Sequence, residues 1–224
     1  MKPIRTLRLL LLLLITQCAF AQIKVTNMNS AAIPNFVKYK GSLDTAVHYT
    51  DKEGEHILIT SEDFKLDSAE MVITSADNKD SSVSKTETKS ANLYAYNYII
   101  SGKTAKLLWQ MHDFVDSCDF DITAGYLPGT FAITDLDKNG IAEVWLMYKV
   151  DCASDVSPVP MKIIMHEGAQ KYAMRGGTRV KVNATEYTGG KYIFDEAFSK
   201  APEVFKQHAR LLWSKNLMEH FQEQ

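Results

Sequence analysis

Long apolar runs, glycine, cysteine and positive charge are all scarce in this chain, and each scarcity rules something out. Beyond the first twenty residues, no apolar stretch approaches the ~20 residues needed to cross a bilayer as a helix. The 11 glycines build no phosphate-cradling loop, and no G-x-S-x-G elbow marks a nucleophilic serine. His166-Glu167 is followed by Gly-Ala-Gln, so the helical H-E-x-x-H zinc pattern lacks its second histidine. No period recurs along the chain, which speaks against a multi-blade propeller. Paired carboxylates are plentiful, as in any acidic protein, and no catalytic dyad stands out among them. Nothing here calls for an enzyme.

The amino terminus carries an export signal. Lys2, Arg5 and Arg8 precede the unbroken apolar run Leu9 to Ile15, and Ala19-Phe20-Ala21 supplies a small-x-small cleavage site before Gln22. Residues 1–21 are therefore expected to be removed, leaving 22–224 as one mainly β domain in the periplasm, at the cell surface or outside the cell. Cys18 offers the alternative of a lipoprotein anchor, although Gln17 stands where such signals favour a small residue. Losing Lys2, Arg5 and Arg8 lowers the basic count from 25 to 22 against 27 acids, so the net charge moves from −2 to −5. Such a chain has no electrostatic footprint for nucleic acid and no basic patch for a membrane surface.

Of the 3 cysteines, Cys118 and Cys152 survive processing. In an oxidising compartment an even pair favours a disulfide, with two buried free thiols as the alternative. The bridge would close a loop of about 34 residues, worth about 3–4 kcal/mol in the chain-entropy account.

Turn-punctuated runs predict strands over Phe36–Lys40, Thr45–Tyr49, His56–Thr60, Leu93–Ile100, Leu107–Met111, Thr130–Thr134, Ile141–Tyr148, Met161–Met165 and Tyr172–Arg175. Asp51-Lys-Glu-Gly54 reads as a hairpin turn. Ser68–Ser90 is polar enough to be a long loop or an exposed hairpin. Residues 202–222 change to helical spacing: Pro202 opens the segment, and Val204, Phe205, Leu211, Leu212, Trp213, Leu217, Met218 and Phe221 share a broad apolar face. The fold class is therefore α+β, mainly antiparallel β: a meander of hairpins closed by a C-terminal amphipathic helix.

The chemically specific stretch is Asp135-Leu-Asp137-Lys-Asn139-Gly140-Ile141-Ala-Glu143. Asp135, Asp137 and Asn139 offer oxygens at alternate positions, Gly140 permits a sharp turn, and hard cations such as Ca²⁺ want about 6–8 oxygen ligands. An EF-hand is excluded, because its twelfth position is Leu146 rather than Glu and the flanks are β-rich. A metal-free turn satisfies part of the pattern, since Asn-Gly and Asp are turn formers in their own right. Elsewhere, His48 and His56 sit on two strands of one hairpin. His112, Asp113, Asp116, Asp119 and Asp121 form a second polar cluster, able to add ligands if the disulfide draws it to the loop. Tyr94, Tyr96 and Tyr98 share one strand face, either as an open platform for sugar rings or as a cross-strand aromatic face. Trp109, Trp145 and Trp213 are assigned to the core.

Two resemblances follow from these residues. The acidic loop resembles the strand-flanked calcium loops of FG-GAP and VCBS repeats, D-x-D-x-[DN]-G-x-x-[DE]. That likeness implies Ca²⁺ held by the side chains of Asp135, Asp137 and Asn139, the Ile141 carbonyl and Glu143. The longer run from Ile133 to Lys149, with Cys152, Asp155-Val-Ser-Pro158, Met161–Met165 and Lys171–Gly176, resembles exported bacterial proteins labelled surface-polysaccharide biosynthesis proteins. It implies an envelope location, with envelope polysaccharide or another envelope protein as partner. The expected role is structural or binding, with a polysaccharide hydrolase and a carbohydrate-binding module as alternatives.

Overall fold

The computed structural model describes residues 23–74 and 81–219. The expected export segment with Cys18, and Phe221 of the expected helix, lie outside the described residues. Strands β1 (Lys24–Met28), β2 (Ser42–Asp51), β3 (Gly54–Thr74), β4 (Ser81–Ser101) and β5 (Thr104–Cys118) form one antiparallel meander in chain order. Then follow β6 (Asp121–Tyr126), β7 (Ala132–Thr134), β8 (Glu143–Ala153), β9 (Pro160–Glu167), β10 (Gln170–Gly177), β11 (Arg179–Lys181), β12 (Tyr187–Gly189) and β13 (Tyr192–Phe194). The second sheet has the order β13-β10-β9-β8-β6, with β7 also paired to β8. Two helices, α1 (Glu196–Lys200) and α2 (Glu203–Lys215), close the order. The α+β, mainly antiparallel class holds.

Period-two alternation explains how the sheets stack. Val47, Tyr49, Leu58, Leu93, Ala95 and Trp109 of the first sheet meet Val144, Leu146, Tyr148 and Ile164 of the second in one core. The alternate residues Trp145, Met147, Ile163 and Met165 face the helices, where Phe198, Phe205, Ala209 and Trp213 cover them. On the far side, Ile57, Ile59, Tyr94, Tyr96 and Tyr98 pack under Ile33, Phe36 and Val37 of the segment before β2. Because β8 is covered on both faces, its sequence is a continuous apolar run, Val144-Trp-Leu-Met-Tyr148, without alternation. All three tryptophans are buried.

Of the two readings of the polar stretch Ser68–Ser90, the exposed hairpin holds: β3 and β4 pair from Glu55↔Ile100 out to Thr74↔Ser81. Its outer part projects beyond the packed layers, so residues 64–70 of β3 and 83–87 of β4 are exposed on both faces and carry no alternation. Two expectations need correction, the strand over Phe36–Lys40 and the extent of the C-terminal helix. Phe36–Lys40 is a turn and irregular chain packed on the outer face of the first sheet. The helix does not run to 222. It ends at Lys215 because the following backbone finds other partners: Arg179 N–H donates to the Leu217 carbonyl at 2.7 Å, and Glu219 N–H to the Arg179 carbonyl at 2.9 Å. Leu217 still packs on the helix-side core, which is why it read as part of the stripe. A short helix also precedes Pro202; Asp195 caps it by accepting Phe198 N–H at 2.8 Å, and Ala201 before the proline is extended.

Cys118 and Cys152 are bonded, with Cα atoms 5.9 Å apart. The bridge joins the end of β5 in one sheet to the far end of β8 in the other. Glu143 begins β8, so the nine residues separating it from Cys152 place the acidic loop and the disulfide ~30 Å apart along the strand. The bridge encloses the acidic motif in sequence but staples the opposite end of the sandwich.

Candidate metal centre

The loop from Asp135 to Ala142 connects β7 to β8, which pair antiparallel from Thr134↔Glu143 to Ala132↔Trp145. Strands therefore flank it on both sides. Two left-handed residues coil it, Lys138 at φ 63° and Gly140 at φ 86°. A Cβ at Gly140 would meet the Lys52 side chain at 3.5 Å, and the positive φ itself favours glycine there. The coil lets side chains accept from backbone further on. Gly140 N–H donates to Asp135 Oδ2 at 3.2 Å, Asn139 N–H to Asp137 Oδ1 at 3.1 Å, and Ile141 N–H to Asn139 Oδ1 at 2.7 Å.

Asp135, Asp137 and Glu143 converge: one carboxylate oxygen of each lies within 4.8 Å of the others. Glu143 is fully buried and accepts from Thr134 Oγ1 at 2.6 Å and from Leu136 N–H at 2.9 Å. Burial raises its pKa, hydrogen bonds from Thr134, Leu136 and Asp137 oppose the rise, and the charge of Asp137 adds to it; the net direction is up. Asp135 Oδ1 is buried with no hydrogen-bond partner among the described residues. Asn139 is turned differently from the expected ligand set. Its amide nitrogen donates to Asp137 Oδ2 at 3.1 Å and to Glu167 Oε1 at 2.5 Å, and Ile141 serves the loop through its N–H.

Sequence reasoning missed the partner turn. Lys52 N–H donates to the Gly140 carbonyl at 2.8 Å, and Ala142 N–H donates to Asp51 Oδ2 at 2.9 Å. The Asp51 side chain, 2% exposed, also accepts from Glu53 N–H at 2.8 Å and meets His56 Nε2 at 3.0 Å. Burial would raise the Asp51 pKa, but the hydrogen bonds from His56, Ala142 and Glu53 outweigh it and hold the carboxyl below its usual range. His56 lies flat on Tyr49, ring centroids 4.6 Å apart. The β9–β10 turn closes the assembly through Glu167. Six carboxylates from three turns thus gather at one end: Asp51, Glu53, Asp135, Asp137, Glu143 and Glu167. The local signal for Asp51 was only a turn-forming aspartate; its contact with Ala142 spans 91 positions.

Other candidates do not join this centre. His48 lies across from Ile57 and His56 across from Tyr49, so the two histidines point to opposite faces. Asp113 turns between the sheets to Lys162 at 2.5 Å and to the Tyr148 hydroxyl at 2.9 Å. Asp116, Asp119 and Asp121 sit around Cys118, at the disulfide end, so the bridge does not bring them to the loop. Tyr94, Tyr96 and Tyr98 are each less than 10% exposed, which removes the open-platform reading.

Between the sheets, His166 stacks on Trp109 with centroids 4.0 Å apart, and both imidazole nitrogens lack partners among the described residues. Burial, with the nearby Lys171 charge, lowers its pKa to about 4. The unfolded chain, at ~6.5, then binds a proton before the folded one does, so this contribution is present above pH ~6.5 and is lost as pH falls towards 4. A shift of this size corresponds to about 3 kcal/mol. His166→Phe keeps a ring against Trp109 and is expected to flatten the stability profile between those values, as urea titrations across the pH range would show.

No protein-family model, curated protein or solved structure matches this chain.

Proposed function

We propose that this chain is an exported cell-envelope domain whose Asp135–Glu143 loop takes up one Ca²⁺ and uses it to clip the two sheets together at their acidic end. The convergence of Asp135, Asp137 and Glu143 within 4.8 Å carries the reading. Two unit charges that close repel by about 3 kcal/mol at an effective dielectric of 20. None of the ion pairs among the described residues neutralises them. A divalent cation would turn these repulsions into attractions and would partner Asp135 Oδ1. Because every donor is an oxygen, the set suits a hard cation rather than zinc or copper. The Cys118–Cys152 bond supports export, since such bonds persist in oxidising compartments. The role is structural or binding, linked to surface polysaccharide through the resemblance carried by Ile133–Gly176.

Melting curves of the mature protein in Ca²⁺ and in EDTA test this. Calcium at 100 times its Kd should add about 2.7 kcal/mol. Asp137→Ala should abolish the increment. Because burial raises the Glu143 pKa, the carboxyl protonates early on acidification. In EDTA that protonation relieves the folded state, so the stability Glu143 withholds at neutral pH returns as pH falls through the folded value. The calcium increment should shrink over the same interval, because the ligand must be ionised. Identical melting of the wild type in Ca²⁺ and EDTA at pH 7 would sink the proposal.

A further inference from the structure

The outer face of the first sheet carries a second site, independent of the acidic loop. Between the segment Lys38–Lys40 and strands β4 and β5 lies a cavity of about 260 Å³, lined among others by Lys38, Lys40, Tyr94, Tyr96, Gln110 and His112. That is below the ~300–1,000 Å³ of pockets for drug-sized ligands, so it suits a single small ring. No acidic residue lines it, and no ion pair among the described residues involves Lys38 or Lys40.

The wall is built rather than draped. The Tyr98 hydroxyl donates to the Lys38 carbonyl at 2.5 Å, and the Ser61 hydroxyl to the Lys40 carbonyl at 2.6 Å. Gly41 follows at φ 75°, and a Cβ there would sit 2.6 Å from the Glu62 carbonyl, so only glycine lets the wall press this closely on β3. On the opposite side His112 stacks on Tyr94 at 4.7 Å and is held by Asn92 Oδ1 at 2.8 Å from Nε2. The two lysines are thus anchored at their backbones beside the edges of the stacked rings Tyr96, Tyr94 and His112, with the exposed side chain of Gln110 next to them.

We propose that this groove binds a sugar acid, a hydroxylated ring bearing a carboxylate. The ammoniums of Lys38 and Lys40 take the carboxylate. The edges of Tyr94 and Tyr96, whose faces are taken up by stacking, border the ring, and Gln110 and His112 serve its hydroxyls. Stacked rings present their electropositive edges, which also favours an anion over a cation.

Calorimetry in EDTA, so that the acidic loop plays no part, would compare glucuronate, oligogalacturonate, glucose, a neutral oligosaccharide and acetate. The acids should bind at least about tenfold more tightly than their neutral counterparts and than acetate, the scale of one charge-assisted contact. Binding of both acids supports a free sugar acid as ligand, and binding of the oligomer alone supports an acidic polymer. The double variant Lys38→Gln/Lys40→Gln, at exposed positions, should lose that preference with unchanged melting temperature. No binding of either acid, affinity equal to that for acetate or for the neutral sugars, or an undiminished preference in the double variant would each overturn the proposal.

Discussion

Asp51→Ala is expected to destabilise the protein by about 3 kcal/mol, although Asp51 lies in what reads as an ordinary hairpin turn. Its side chain is 2% exposed and fixes three groups: His56 Nε2 at 3.0 Å, Glu53 N–H at 2.8 Å and Ala142 N–H at 2.9 Å. Removing it leaves buried donors without partners, at about 1–3 kcal/mol for each such group. Asp51→Asn should be milder, because the amide oxygen still accepts. The carboxyl is held below its usual range, so the contribution is present above pH ~4 and lost as pH falls through the folded value. Urea denaturation at pH 7 and pH 3 checks both: the wild type and Asp51→Ala should differ more at the first than at the second. A cycle with His56→Gln should show coupling between the two sites.

Cys118→Ala/Cys152→Ala is expected to cost about 3–4 kcal/mol, the chain-entropy value for a loop of this length. The sequence separation is 34. The bridge stands where the chain crosses from β5 to β6, so the cost should fall on the end of the sandwich remote from the acidic loop. Hydrogen exchange of the double variant should therefore rise first at β6 and at the Cys152 end of β8. Equal loosening at the Asp135 loop would contradict the separation of the two ends. Denaturant titration of oxidised and reduced wild type gives the same energy without mutation.

What could be read locally was read well. The hairpin at Asp51–Gly54, the shared face of Tyr94, Tyr96 and Tyr98, the strands flanking the acidic loop and the helix beginning after Pro202 all follow from period and punctuation. The cysteine pair followed from the expected compartment. What escaped was non-local. Nothing near Asp51 announces that its carboxylate meets Ala142, because the contact exists only once two sheets have stacked. The assignment of strands to two sheets escaped for the same reason, and with it the placement of the disulfide far from the acidic loop. The outer part of β3 and β4 could be read only as a loop or an exposed hairpin, because projection beyond the core removes the alternation by which strands are recognised. Leu217 misled in the opposite sense, being apolar and half-buried yet held by a backbone hydrogen bond from Arg179 rather than by a helix.

The two sheets are joined covalently at one end, and at the other by three turns bearing six carboxylates. A cation at Asp135, Asp137 and Glu143 would make the second junction as firm as the first. Titration calorimetry of the mature, oxidised protein with Ca²⁺ at pH 7 tests this most directly. The expected result is a binding heat at a stoichiometry of about one, lost in Asp137→Ala and retained in Lys38→Gln/Lys40→Gln. No heat in the wild type, with no change in melting temperature, would show that the acidic loop is a self-satisfied turn.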